Sequence, residues 1–214
     1  MSTLFIGNKN VSSWSLRPWL ALKAAGVTFD EVLIRLDVPE TRASISQYSP
    51  GGKVPVLVWE EDGKSHQIWD SLAICEFVAE HFPAAKLWPE DVFLRAKARS
   101  YCAEMHSSFP DVRDQLSMFF ARKMEMPELR EATQKQIARI IAAWEEALAQ
   151  SGGDFLFGDF SITDCMYAPV VSRFLSYGIT LPKASEAYAA RMMALPAMQE
   201  WMAGAKAEVE AGWR

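Results

Sequence analysis

The sequence predicts an α/β half followed by an all-helical half. Three observations carry this. Strand and helix patterns alternate over the first eighty residues, a proline-containing stretch without apolar periodicity follows, and no strand pattern appears from Val92 onward. LFIG (4–7) reads as a short buried strand. Leu16, Leu20 and Ala24 then share one helical face, and Gly26 marks the stop. TFDEVLI (28–34) alternates as a second strand, and the polar stretch Pro39 to Ser49 has room for a short helix. VPVLVW (54–59), the turn EDGK (61–64) and SHQIW (65–69) form a hairpin, and SLAICEFVAEHF (71–82) is an amphipathic helix. The order is βαβαββα, and the closing hairpin makes the four-stranded sheet mixed.

PAAKLWPED (83–91) reads as a linker between a first domain, residues 1–82, and an all-α second domain, residues 92–214. In the second, Arg95 to about Phe120 is expected as one long helix and Leu129 to Ala149 as another. Gly152, Gly153 and Gly158 mark a loop. Further helices are expected at 161–176, 185–194 and 197–209.

Composition narrows the function classes. Half of the 214 residues are hydrophobic, enough for a substantial core, and the net charge of -5 leaves no basic stripe for nucleic acid. No run of about 18 apolar residues offers a membrane span, and MSTLFIGNKN has no secretory pattern. Cys75, Cys102 and Cys165 are odd in number, far apart and set among apolar residues. Reduced buried thiols in a cytoplasmic protein are expected. His66, His81 and His106 share no ligand spacing, so no metal is assigned.

Three short stretches carry candidate chemistry. VSSWSLRPWLALKAAG (11–26) places Ser12, Ser13 and Ser15 ahead of a helix, where one cap needs one serine. In GGKVPVL (51–57), Pro55 opens a strand. A cis Val54–Pro55 bond would leave the Val54 backbone free to pair with an extended peptide. An ordinary trans-proline is the commoner alternative, since roughly one X–Pro bond in twenty is cis. In WDSLAI (69–74), Asp70 or Ser71 caps the next helix. The same free N–H groups would also bind a ligand carboxylate, while Asp70 would attract an ammonium, so that together they suit an α-amino acid head.

Taken in order, these stretches resemble the glutathione S-transferase family. SSWSLRPWLAL resembles the zeta-class signature SSCSWRVRIAL, KVPVL the family's K/Q-V-P-x-L, and DSLAI its [EDQ]-S-x-A-I. FSITDCMYAP (160–169) resembles its S-x-x-D capping box. The resemblance covers essentially the whole chain and implies a thioredoxin-like first half with glutathione as co-substrate. It matches Ser12 to the residue beside the glutathione thiol and places Ser13 and Trp14 next to it. It matches Val54 to the backbone that pairs with the cysteinyl part, Asp70 and Ser71 to the γ-glutamyl pair, and Lys53 to the glycyl end. It also implies a homodimer and a second-substrate pocket walled by the first helix of the second half. There His106, Phe109 and Arg113 are expected on one face, with a merely packed histidine as the alternative.

Two departures stand out. Trp14 occupies the zeta-class cysteine position, which argues against maleylacetoacetate isomerase activity, and Pro18 would delete a hydrogen bond if the helix began at Ser13. A start nearer Ser15, or a kinked first turn, is therefore expected. For Arg17 a structural salt bridge is expected, with a supporting role behind the ligand site as the alternative, and Asp164 is read as a folding residue. The implied reaction adds the glutathione thiolate to a small electrophile. A glutathione-dependent cis–trans isomerase and a non-catalytic scaffold are the alternatives. Which serine serves the thiol stays open.

Overall fold

A computed structural model describes residues 2–36 and 38–213. The first half contains β1 (Thr3–Gly7), α1 (Ser13–Ala24), β2 (Asp30–Ile34), α2 (Thr41–Ser46), β3 (Val56–Glu61), β4 (Lys64–Trp69) and α3 (Ser71–His81). The sheet order is β2-β1-β3-β4, with β1 parallel to β2 and the other pairs antiparallel. The βαβαββα order and the mixed sheet are those read from the sequence. Gly26, at φ 68, ends α1, and Asp62 and Gly63, both at positive φ, turn β3 into β4. Alternation along β1 separates two apolar layers. Leu4 and Ile6 pack with α1 and α3, while Phe5 joins Ile34, Ile45 and Val56 on the α2 side.

After a 3₁₀ turn at Pro83–Ala85, six helices follow: α4 (Val92–Ser107), α5 (Pro110–Gln115), α6 (Glu131–Ser151), α7 (Ile162–Ser176), α8 (Lys183–Ala194) and α9 (Pro196–Glu210). Helix α7 is buried nearly all round and packs on both α1 and α4, which joins the two halves. Ser161 and Asp164 form its capping box. No helix among the described residues is long and apolar enough to cross a membrane.

Two expectations are corrected. The long helix from Arg95 to about Phe120 is two helices. The chain breaks at Ser108, extended at φ -114 and ψ -172, and Phe109, at φ 62, and Pro110, which lacks an N–H, opens α5 as its first residue. His106 and Arg113 therefore do not share one helical face. Of the two alternatives for α1, the start nearer Ser15 is excluded, because the helix begins at Ser13 with Pro18 inside it.

Candidate functional site

The loop from β1 to α1 is anchored by the second half. The Glu208 carboxylate in α9 accepts from the N–H groups of Lys9 (2.7 Å) and Asn10 (2.9 Å), and Trp201 Nε1 donates to the Lys9 carbonyl. Asn10 in turn accepts from the N–H groups of Phe120 and Ala121. This loop fixes Ser12 at the start of α1.

The serines there do not cap the helix. Ser12 Oγ lies 2.7 Å from Ser15 Oγ and donates to it, and Ser15 Oγ accepts from the Gly7 N–H at 3.1 Å. Ser15 thus straps the end of β1 to the first turn of α1. Gly7 eases this approach, because a Cβ would meet Leu36 Cδ1 at 2.6 Å and Ser12 Oγ at 3.1 Å and the Leu36 side chain would have to move.

Ser12, Ser13, Trp14, Lys53, Val54, Asp70, Ser71 and His106 line one cleft of about 610 Å³. The Val54–Pro55 bond is cis, and no backbone hydrogen bond engages Val54 among the described residues. Beside it, Asp70 adopts φ 76, a conformation non-glycine residues rarely take. Its Oδ1 accepts from Leu72 N–H at 2.9 Å, and its Oδ2 lies 3.3 Å from His106 Nε2. The Ser71 hydroxyl is buried at the N-terminus of α3 without a partner among the described residues. A cis turn with a free peptide edge, a carboxylate and an unsatisfied hydroxyl at a helix start together suit a short acidic peptide with an α-amino acid end.

Two family models of the glutathione S-transferase match the chain, the N-terminal domain over residues 11–81 and the C-terminal domain over residues 127–204. The chain belongs to the glutathione S-transferase family. It is similar to mouse glutathione S-transferase omega-1, 29% identical over 141 residues that cover 64% of this chain and 55% of that protein. It is also similar to a probable maleylacetoacetate isomerase of Caenorhabditis elegans, at 28% identity over 74% of this chain and 72% of the relative. A solved Burkholderia glutathione transferase homolog with bound glutathione superimposes with a TM-score of 0.74. It is 25% identical, over 96% of this chain and 98% of that one. The chain thus spans little more than half of the mouse relative's length.

Within this glutathione S-transferase fold, the sequence-read residues separate into two groups. Eight of them meet in the cleft. Phe109 is 4% exposed and packs into the core, and Arg113 lines a neighbouring cavity of about 210 Å³. Trp14 links the two spaces. Its ring meets His106 edge-on at 5.2 Å and lies between the Arg17 guanidinium at 4.3 Å and that of Arg113 at 4.8 Å.

Arg17 corrects another expectation, since it makes no salt bridge among the described residues. It is fully buried, and none of its three guanidinium nitrogens finds a hydrogen-bond partner. Burial, then repulsion from Arg113, lowers its pKa to about 9, which leaves it charged at neutral pH. The three cysteines are free and buried, and burial raises each thiol pKa. Sequence reading missed Ser15 as a strap and Arg173 altogether. The only local signal for the altered second-half geometry was Pro110.

Proposed function

We propose that this chain binds glutathione and adds its thiolate to a small electrophile. The carrying observation is the convergence of the free Val54 backbone, Asp70 and the unpartnered Ser71 hydroxyl on one cleft. The bound peptide supplies the nucleophile. Val54 pairs with its cysteinyl backbone, Asp70 and Ser71 hold the γ-glutamyl ammonium and carboxylate, and Lys53 faces the glycyl end. Ser13 and Trp14 complete the wall.

Ser12 stabilises the thiolate. A free thiol near pKa 8.5 is mostly protonated at pH 7, and a donated hydrogen bond beside the N-terminus of α1 favours the anion. Serine holds its own proton too tightly to act as the base. The Ser15 hydroxyl can rotate to donate to Ser12, which frees the Ser12 proton for the sulfur. His106 contributes from the side of Asp70, and Arg113 from the adjoining cavity, to the second-substrate space. The maleylacetoacetate isomerase named for the nematode relative supports a second reading, reversible thiol addition leading to isomerisation. Trp14 at the zeta-class cysteine position favours transfer. A cytoplasmic homodimer belongs to the same reading, supported by the exposed Val92 and Phe93 and by the buried thiols. The domain division at 1–82, 83–91 and 92–214 does too.

Calorimetry with glutathione tests the reading. Asp70→Asn and Ser71→Ala should each weaken binding by roughly tenfold or more, the scale of a lost charge-assisted hydrogen bond. Absence of binding heat in the wild-type protein would overturn the transferase reading. Unchanged affinity in both folded variants would remove the γ-glutamyl assignment.

A further inference from the structure

Arg113 and Arg173 line the cavity of about 210 Å³ together with Ser117, and no carboxylate joins them among the described residues. Arg113 comes from α5 and Arg173 from α7, and both lie close enough to Arg17 in α1 to repel its charge. The hydrogen bonds these cavity arginines make end on neutral carbonyls. Arg113 donates to Ser108 at 3.2 Å and to Met105, and Arg173 donates to Leu116. Neither forms an ion pair among the described residues, although Arg173 is only 6% exposed. Arg173 Nε and Nη2 and Arg113 Nη1 make no hydrogen bond there. A buried charge that bonds only neutral groups keeps its desolvation cost, and an anion between two guanidiniums would offset it.

The cavity adjoins the cleft. Val11 and Leu36 line both spaces, and Val11 precedes Ser12. A group held between Arg113 and Arg173 would therefore extend an acceptor whose reactive end lies near Ser12. The planar fork of arginine matches a carboxylate, and the apolar walls Val11, Leu36 and Met118 suit a carbon chain.

We propose that this cavity is a subsite for a carboxylate of the second substrate, so that the acceptor is a small organic acid. The proposal rests on the transferase reading and goes further by naming the substrate class. In the probe reaction the acceptor is 4-oxo-4-phenyl-2-butenoic acid. A sulfur–carbon bond forms, the carbon–carbon π pair moves to the adjacent carbon as an enolate, and a solvent proton completes the adduct.

The test compares this acid with its methyl ester, each corrected for its uncatalysed rate with glutathione. Wild-type kcat/KM should favour the acid. Arg173→Met and Arg173→Lys should each lower the acid-to-ester ratio, the methionine variant by about tenfold or more, as expected for loss of a charge-assisted contact. Should Arg173→Met fail to fold, Arg173→Lys and direct binding to the wild-type protein still decide. For binding, the saturated 4-oxo-4-phenylbutanoate and its ester are titrated by calorimetry with and without saturating glutathione. Acid-selective binding that persists with glutathione supports the subsite. Equal treatment of acid and ester overturns it. Displacement of the acid by glutathione also overturns it, because the carboxylate would then belong to the peptide. If glutathione gives no heat, the transferase reading fails, and the titrations without it decide the anion site separately.

Discussion

Replacing Arg17 with methionine should make the protein more stable. The guanidinium is fully buried, and among the described residues it has no hydrogen-bond partner and no facing carboxylate; only the buried Cys75 and Cys102 thiols oppose the fall in its pKa. Lowering from 12.5 to about 9 corresponds to a cost of about 5 kcal/mol at most for the charged form, at ~1.36 kcal/mol per tenfold. Against that stands the contact with the Trp14 ring at 4.3 Å, worth about 2 kcal/mol when desolvated. Methionine fills similar space without the charge, so the net gain is about 2–3 kcal/mol. For a chain of this size that raises the melting temperature by roughly 4–12 °C. Calorimetric melting measures it, and urea unfolding gives the free energy independently. Trp14 fluorescence should change in the same variant, because its ring loses one cation. A melting temperature that falls by several degrees would refute the reasoning, since it would mean that Arg17 has a partner stronger than its burial cost.

Two further outcomes are expected. Asp164 is fully buried, and burial raises its pKa from 3.8 to about 6 against the hydrogen bonds it accepts from Leu156 and Ser161. The folded state then holds its proton more tightly, so this contribution is full below about pH 4 and is lost as pH rises through about 6. Urea unfolding from pH 7.5 to 4.5 should show the wild type gaining up to about 3 kcal/mol relative to Asp164→Asn. A relative loss would mean that the hydrogen bonds outweigh burial. At the other site, Ser12→Ala should raise the apparent pKa of bound glutathione, read from thiolate absorbance against pH, and Ser15→Ala should raise it less. A larger shift for Ser13→Ala would move the thiol contact by one residue.

The elements legible in the sequence were those whose causes are local. Strand alternation, Gly26 and the Asp62–Gly63 turn sit within a few residues of what they control, and the same is true of the Asp70 cap on α3. Local sequence favoured a trans Val54–Pro55 bond on frequency alone, and the bond is cis because the surrounding fold selects it. Pro110 was a visible breaker, but the apolar spacing on either side of it also fits a continuous helix. The arginines were illegible for another reason. Their convergence depends on how α1, α5 and α7 pack, and no spacing within one element encodes it. Ser15 is similar, since its strap to Gly7 exists only once β1 and α1 are in place.

These placements bear on where catalytic power can come from. Cys75, Cys102 and Cys165 are buried, with burial holding each thiol neutral, and Trp14 stands where a cysteine would sit in the zeta signature. The chain's own thiols are therefore poor nucleophiles, and in the proposed reaction the thiolate arrives with the bound peptide. What the described residues offer is fixed polarity: the Ser12–Ser15 pair, the start of α1, the Asp70–His106 pair and the guanidiniums around Trp14. The start of α1 is held before any substrate arrives, by the Glu208 clamp on the loop that leads into it and by α7 against the helix. Preorganised groups stabilise developing charge without reorganising during the reaction. The buried positive charge near Trp14 fits this scheme, because stability lost to Arg17 in the free protein can return as attraction for an anion.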